Sequence, residues 1–314
     1  MVGNWITRII TQAEKIKTAI KKRASKEEIK NSKWMSPCCG SNPILKSSIF
    51  NEKELNTCPN CDKHYPFPPR QRFDHFYGAN NWEEIDTPKL PDDPLNWPGG
   101  VYKKKLASAR KLTNQRCSVL VALGERDGIK ITSFAINSAF IGGAISVESA
   151  EAILKACDVA IENKTPLLAW SEGGGQIMFE SGLSLQGMAR TVLGVSEVKK
   201  NNLPYINIYT NKCYGGISAS FCGVSDIAFA EKSTMIGFAG QHIVKNQTRE
   251  ELPENFKSSQ ELMRTGFLDA EFHRKEINDK IMTVLKILLK KNSAINSEQN
   301  ETSENSQSLT REAS

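Results

Sequence analysis

Thr210 to Phe221 reads Thr-Asn-Lys-Cys-Tyr-Gly-Gly-Ile-Ser-Ala-Ser-Phe, and the adjacent pair Gly215 and Gly216 is the feature whose placement most directly suggests chemistry. The preceding run Pro204-Tyr-Ile-Asn-Ile-Tyr-Thr is β-branched and aromatic, the composition of a buried strand. Small residues follow the pair, as at the opening of a helix. Strand, Gly-Gly and helix start in that order leave backbone N–H groups uncovered by any Cβ and at the positive end of a helix dipole. Such a site suits negative charge, and an oxygen that becomes negative during a reaction fits it better than a resident anion.

The second reactive feature is a cysteine cluster. Of eight cysteines, Cys38, Cys39, Cys58 and Cys61 lie together, while Cys117, Cys157, Cys213 and Cys222 are scattered among apolar segments as small buried residues. Cys58-Pro-Asn-Cys61 follows Pro37-Cys-Cys-Gly40 at the separation of two knuckles in a zinc ribbon, where four thiolates complete a tetrahedron. Cys39 and the second knuckle have the expected spacing. Cys38 is adjacent to Cys39, and Ser36 stands where the first thiolate is expected, so a ribbon without metal is the competing reading. His64 is a possible fourth ligand but is expected at the surface.

Other chemistry is thinly supported. Cys213 has no base beside it in sequence, and Gly216-Ile-Ser-Ala-Ser220 departs from the Gly-x-Ser-x-Gly nucleophile elbow at its last position. Neither the Gly-x-Gly-x-x-Gly fingerprint nor the Walker phosphate loop occurs. Glu172, next to three glycines, is a candidate acid or base.

These residues must be held by a large scaffold, and 314 residues with 39% hydrophobic content can bury one. Segments 118–123, 129–136, 166–171, 204–210 and 226–230 read as strands, with a turn at 125–128 and a further strand at 235–240. Helices are expected over 147–162, after Gly175, and over 261–268 and 270–291, the last with a stripe of Ile277, Ile281, Val284, Leu285 and Leu288. Strand, glycines and helix thus recur at Gly142-Gly143, Gly173 to Gly175 and Gly215-Gly216, which points to an α/β fold of stacked β-β-α turns. The expected organisation is a basic amphipathic N-terminal helix over 1–33, a zinc ribbon over 34–66, a main domain over 67–291 and a disordered polar tail over 292–314. Residues 67–100 open that domain as a connector with a short helix near 71–77.

Residues 1–33 hold nine Lys and Arg against three Asp and Glu, which accounts for the whole net charge of +6. A basic arm on a neutral body argues against a chain-wide nucleic-acid surface and leaves RNA, an acidic partner or nothing as the contact of the arm, with RNA also a candidate for the ribbon. No apolar run approaches the ~20 residues of a membrane helix, and no signal-peptide pattern is present, so a cytoplasmic protein is expected.

Several stretches, taken in order, resemble the β subunit of bacterial acetyl-CoA carboxylase carboxyltransferase, a family with a zinc ribbon and a crotonase-like domain. They are Asn4-Trp-Ile-Thr-Arg-Ile9, the cysteine cluster, Tyr102-Lys-Lys-Lys-Leu-Ala-Ser-Ala109, Phe140-Ile-Gly-Gly143, Gly215-Gly-Ile-Ser-Ala-Ser220, Ile236-Gly-Phe-Ala-Gly240, Arg249-Glu250 with Leu252-Pro253, and Gly266-Phe-Leu-Asp269. The resemblance runs to about residue 290. It implies a biotin-dependent transferase of fatty acid biosynthesis within an ATP-binding complex, moving a carboxyl group from carboxybiotin to acetyl-CoA to give malonyl-CoA. It further implies an α2β2 assembly with an α subunit of the same fold, a biotin carboxyl carrier protein and biotin carboxylase. Gly215 and Gly216 would supply an oxyanion pair. Gly142, Gly143, Gly174, Gly175, Gly237, Phe238, Ala239 and Gly240 would line the CoA thioester site, and Cys38, Cys39, Cys58 and Cys61 would hold one structural zinc.

The chain departs from that family in three places. Gly173-Gly-Gly-Gln-Ile-Met178 replaces Ser-Gly-Gly-Ala-Arg-Met, so Ile177 stands in place of an arginine. Gln241-His242 replaces Pro-Arg, and Asn211-Lys-Cys-Tyr214 replaces Asp-Pro-Thr-Met. Positive charge near the substrate or subunit surface is reduced. The rival readings are another acyl-CoA carboxyltransferase or decarboxylase subunit, and a zinc-ribbon RNA-binding or regulatory protein with a decayed catalytic half.

Overall fold

The computed structural model describes residues 33–35, 39–40, 43–249, 251–253 and 256–290. The basic arm up to residue 32, the tail from 292, and Ser36 and Cys38 lie outside those residues, as do the expectations placed on them. Two compact units divide between Tyr65 and Pro66.

In the first unit, β1 (Trp34–Met35) pairs antiparallel with β2 (Ile44–Leu45). Thr57 bridges to His64 across the second hairpin, which carries Cys58 and Cys61. The Cys58 N–H donates to the Lys63 carbonyl and the Asp62 N–H to the Cys58 carbonyl, each at 2.9 Å, and Asp62 adopts φ 57° to close the knuckle. His64, expected at the surface, is buried instead.

The second unit is built on a mixed sheet of β3 (Trp82–Glu84), β4 (Val119–Arg126), β5 (Ile129–Ile136), β6 (Leu167–Gly173), β7 (Tyr205–Tyr214), β8 (Ile227–Glu231), β9 (Met235–Gly237) and β10 (Ala270–Phe272). Their order is β10-β8-β7-β6-β5-β4-β3, with β9 paired to β7. Strands β3, β4 and β5 run antiparallel, and β5 through β8 with β10 run parallel. The β4–β5 turn has Asp127 and Gly128 at φ 52° and 75°, the two positive values that a tight hairpin needs.

Seven helices accompany the sheet, α1 (Pro69–Tyr77), α2 (Val101–Thr113), α3 (Val147–Asn163), α4 (Ser181–Lys200), α5 (Gln241–Thr248), α6 (Ser259–Arg264) and α7 over 274–290 among the described residues, and α3 with α4 covers one face while α1 with α7 covers the other. Alternate strand residues point to opposite sides. Val119, Val121, Phe134, Leu167 and Ala169 meet Ile153, Ala156, Val195 and Val198 of α3 and α4. Leu120, Ala135, Leu168, Trp170 and Ile208 meet Phe73, Phe76, Ile277 and Ile281 of α1 and α7. Two covered faces explain why these strands read as unbroken apolar runs.

Three expectations change. Residues 270–272 form β10 on β8 rather than the start of a helix, because pairing with a strand forty residues earlier outweighs local propensity. The third glycine turn leads not into an α-helix but into a six-residue turn and the 3₁₀ segment Phe221–Val224. Helices α2 and α5 also form where no helix was expected. Among the described residues no helix is long and apolar enough to cross a membrane.

Charge is buried where the first and last helices meet the sheet. Glu231 at the end of β8 accepts from Arg72 Nη1 at 2.6 Å and Arg274 Nε at 3.0 Å, with a further ion pair from Arg274 Nη2. Both guanidinium groups lie over the Phe67 ring, 5.2 and 5.0 Å from its centroid. Removing the shared anion strands two buried cations, so Glu231→Ala should destabilise the protein by about 3–5 kcal/mol. Urea unfolding checks this, and an apolar triple replacement of Arg72, Glu231 and Arg274 should recover most of the loss.

Candidate functional site

The parallel strands β5, β6 and β7 end in the three glycine turns, and the sheet brings those turns into backbone contact. A Cβ on Gly143 would lie 2.9 Å from Gly173 Cα, and one on Gly215 would lie 3.1 Å from both Gly174 O and Gly175 Cα. Gly142, Gly143, Gly173, Gly175 and Gly215 all have positive φ. At Gly143, Gly173 and Gly215 the close approach and the positive φ coincide, and only glycine meets both at once. The Gly174 N–H donates to the Gly142 carbonyl at 3.2 Å, and Ile145 N–H donates to the Gly175 carbonyl at 3.0 Å, so turns far apart in sequence share one hydrogen-bond system.

The expected oxyanion pair is only half available. Gly215 donates its N–H to the Phe238 carbonyl at 2.8 Å, whereas the Gly216 N–H makes no hydrogen bond among the described residues. The correction comes from β9, whose pairing with the end of β7 aims the Phe238 carbonyl at Gly215. Gly216 is buried against Gln176 and Met188: a Cβ there would lie 2.9 Å from Gln176 Nε2 and 2.7 Å from Met188 Sδ. Neither side chain was singled out from sequence, since nothing local ties residues 176 and 188 to residue 216.

The serines of this turn brace it. Ser218 Oγ donates to the Gly215 and Gly237 carbonyls at 3.1 and 2.9 Å, and Ser220 Oγ to the Gly216 carbonyl at 2.5 Å. Burial pushes the Cys213 thiol well above its usual range, so it is not a nucleophile. Glu172 is also buried, which raises its carboxyl pKa; its oxygens accept from the Ser138 N–H at 2.8 Å and the Thr210 hydroxyl at 3.5 Å. It ties β6 to the β5 loop and to β7, and is not a solvent-facing acid or base.

Among the remaining expected site residues, Gly237 lies under Lys257, whose Nζ donates to the Ala239 carbonyl at 2.7 Å, and Gly240 caps α5. The Phe238 ring is 72% exposed beside the turn. Ile177, in place of the family arginine, is buried in an apolar cluster with Tyr102, Leu106 and Phe140, so position 177 faces away from solvent here.

In the first unit, Cys39, Cys58 and Cys61 bring their sulfurs within 4.8 Å of one another. Thiolates around one tetrahedral zinc stand roughly 3.8 Å apart for a Zn–S distance of about 2.3 Å, so the three fit a shared metal. Cys38, the fourth expected ligand, lies outside the described residues, and His64 is not part of the cluster.

The turn contacts separate two neighbouring substitutions. Gly173→Ala would drive a Cβ into the Gly143 carbonyl and within 2.8 Å of Ile217 Cδ1, and should cost about 2–4 kcal/mol. Gly174→Ala, whose Cβ meets nothing nearer than Gly142 O at 4.0 Å, should cost less than about 0.5 kcal/mol. Thermal or urea melts of the two variants check the difference.

The chain is similar to known proteins in sequence and in fold. The family described as the carboxyl transferase domain matches residues 101–311. The acetyl-coenzyme A carboxylase carboxyl transferase subunit beta of Pelagibacter ubique (strain HTCC1062) is 47% identical over 99% of this chain and 100% of its own. That of Bartonella quintana (strain Toulouse) is 34% identical over 93% of this chain and 94% of its own. Among solved structures, the transcarboxylase 12S core is similar with TM-score 0.59 at 17% identity, over 70% of this chain and 41% of that one. A Pseudomonas malonate decarboxylase hetero-tetramer is similar with TM-score 0.57 at 20% identity, over 70% of this chain and 82% of that one. These two share the crotonase-like fold. With a near end-to-end relative at 47% identity and a domain match across α2 to α7, the chain belongs to the carboxyl transferase family, among its acetyl-coenzyme A carboxylase beta subunits.

Proposed function

We propose that this chain is the β half of a cytoplasmic acetyl-CoA carboxyltransferase. It joins an α subunit of the same fold in an α2β2 assembly and moves a carboxyl group from carboxybiotin, held on a separate carrier protein, to acetyl-CoA. The observation that carries the reading is the unpaired Gly216 N–H at the meeting point of three glycine turns.

For the acetyl methyl to accept a carboxyl group it must first lose a proton. The charge then resides on the thioester oxygen as an enolate. A fixed amide N–H aimed at that oxygen, in a site without bulk water, is worth roughly 3 kcal/mol of barrier or about a hundredfold in rate. Biotin, when bound, would supply the activated carboxyl group and, once that group has left it, the ring nitrogen that takes up the acetyl proton. No side-chain nucleophile is needed, which agrees with a turn whose serines and cysteine are all engaged or buried. The chain's task is to hold the thioester with its carbonyl toward Gly216, while the second subunit closes the site and excludes water.

The Cys39, Cys58 and Cys61 cluster is assigned to one structural zinc, with Cys38 as the fourth ligand. The described residues of the first unit bury few apolar side chains, so a metal supplies stability that a small core cannot.

Two outcomes test these assignments. The chain reconstituted with its α subunit and a carboxylated biotin carrier should form malonyl-CoA, whereas either subunit alone should not; a preference for propionyl-CoA would instead indicate a different acyl-CoA carboxyltransferase. Metal analysis should find about one zinc per chain, lost together with the fold of the first unit in Cys58→Ala or Cys61→Ala. Zinc-free protein with an intact first unit would remove the metal from the account.

A further inference from the structure

Gln176 occupies a position the reaction has reason to use. The backbone on either side of it is pinned, with Gly175 O accepting from Ile145 N–H and Ile177 N–H donating to Ile145 O, each at 3.0 Å. In such an extended run neighbouring side chains leave by opposite faces. Ile177 enters the apolar cluster of Tyr102, Leu106 and Phe140, so Gln176 is directed to the other side, against Gly216. Its Cγ and Nε2 each lie 2.9 Å from where a Cβ on Gly216 would stand.

The carboxamide makes no hydrogen bond among the described residues, and its Oε1 is buried without a donor. A buried polar group left unpaired costs stability, and methionine would fill the same space beside Met188 without that cost. The local shortage of donors lies next to it. The Gly215 N–H is committed to Phe238 O, which leaves the Gly216 N–H as the free member of the pair.

Resting on the acetyl-CoA reading above, we infer that Gln176 is a substrate-contacting residue: its side-chain NH2 joins the Gly216 N–H in binding the acyl thioester oxygen, and so takes the role the sequence suggested for Gly215. A terminal amide presents a donor on one edge and an acceptor on the other, and a half-turn about χ3 exchanges them. The donor can therefore reach the oxygen without movement of the pinned backbone. The group bonds more strongly to the enolate than to the neutral carbonyl, because its partner then carries charge.

The test uses the full-length chain assembled with its α subunit, the parent and two variants being assayed side by side with acetyl-CoA. Gln176→Met should melt at or above the parent's temperature while kcat falls about a hundredfold with KM little changed. Gln176→Glu places a carboxylate at the same length. Its activity relative to the parent should be lowest at high pH and recover as the pH falls, because the protonated acid regains a donor. A purely structural glutamine would give neither the rise in stability with loss of kcat nor the pH-dependent recovery.

Gln176→Met at the parent's kcat, or a Gln176→Glu to parent ratio constant with pH, overturns the inference. If the methionine variant fails to assemble, the glutamate pH profile decides alone. An active parent with unaffected variants removes the role of Gln176 only, whereas an inactive parent overturns the acetyl-CoA reading and the inference with it.

Discussion

The structure depends on backbone packing against backbone where three strands end. At Gly143, Gly173 and Gly215 the neighbouring chain approaches so closely that a Cβ would meet main-chain atoms at about 3 Å or less. This contact is what lets the turns after β5, β6 and β7 stack instead of splaying apart as side chains would require. It also marks where the sheet changes course: the β6–β7 register shifts between Ser171 and Gly173, and the end of β7 leaves β8 to pair with β9. The site is thus a by-product of a packing solution. It offers amides because there is no room for anything larger.

Chemistry and stability are assigned to different groups. Ionised residues are held behind the sheet in the Arg72–Glu231–Arg274 cluster, and the buried carboxyl of Glu172, its pKa raised by burial, is fixed by hydrogen bonds; both join elements remote in sequence. The turns carry no charged side chain. For a reaction in which charge forms on the substrate and disappears again, fixed dipoles stabilise the enolate without attracting it permanently, whereas a buried cation would also bind the product carboxylate. Position 177 fits this division, since Ile177 has joined the apolar cluster of α2 and its neighbour Gln176 carries the polar group of that turn.

Much of the scaffold was legible because its physics is local. Strands covered on both faces read as continuous apolar runs, Asp127-Gly128 marked a hairpin, and the recurring glycines marked the strand ends. What was not legible depends on partners distant in the chain. Ala270–Phe272 becomes a strand through β8, and the Gly215 N–H is lost to a carbonyl twenty-three residues later on the far side of β9. Likewise, Gln176 and Met188 reach Gly216 only through the stacking of turns. The helical spacing of Tyr102, Leu106 and Ala109 in α2 was present in the sequence but lay within a stretch noted only for its resemblance. The strand followed by Gly-Gly marked the candidate site in the sequence; the hydrogen bonds between distant segments leave the Gly216 amide without an acceptor among the described residues.

The central claim is that a single main-chain N–H, that of Gly216, is aimed at the oxygen on which charge develops. Replacing residue 216 with glycolic acid, so that an ester oxygen stands in place of the amide N–H, removes that donor and adds no side chain. In the complex with the α subunit, carboxyl transfer to acetyl-CoA should then fall about a hundredfold with little change in the unfolding midpoint, because this N–H has no acceptor within the described chain. An ester variant that transfers carboxyl groups at the parent's rate would contradict the account.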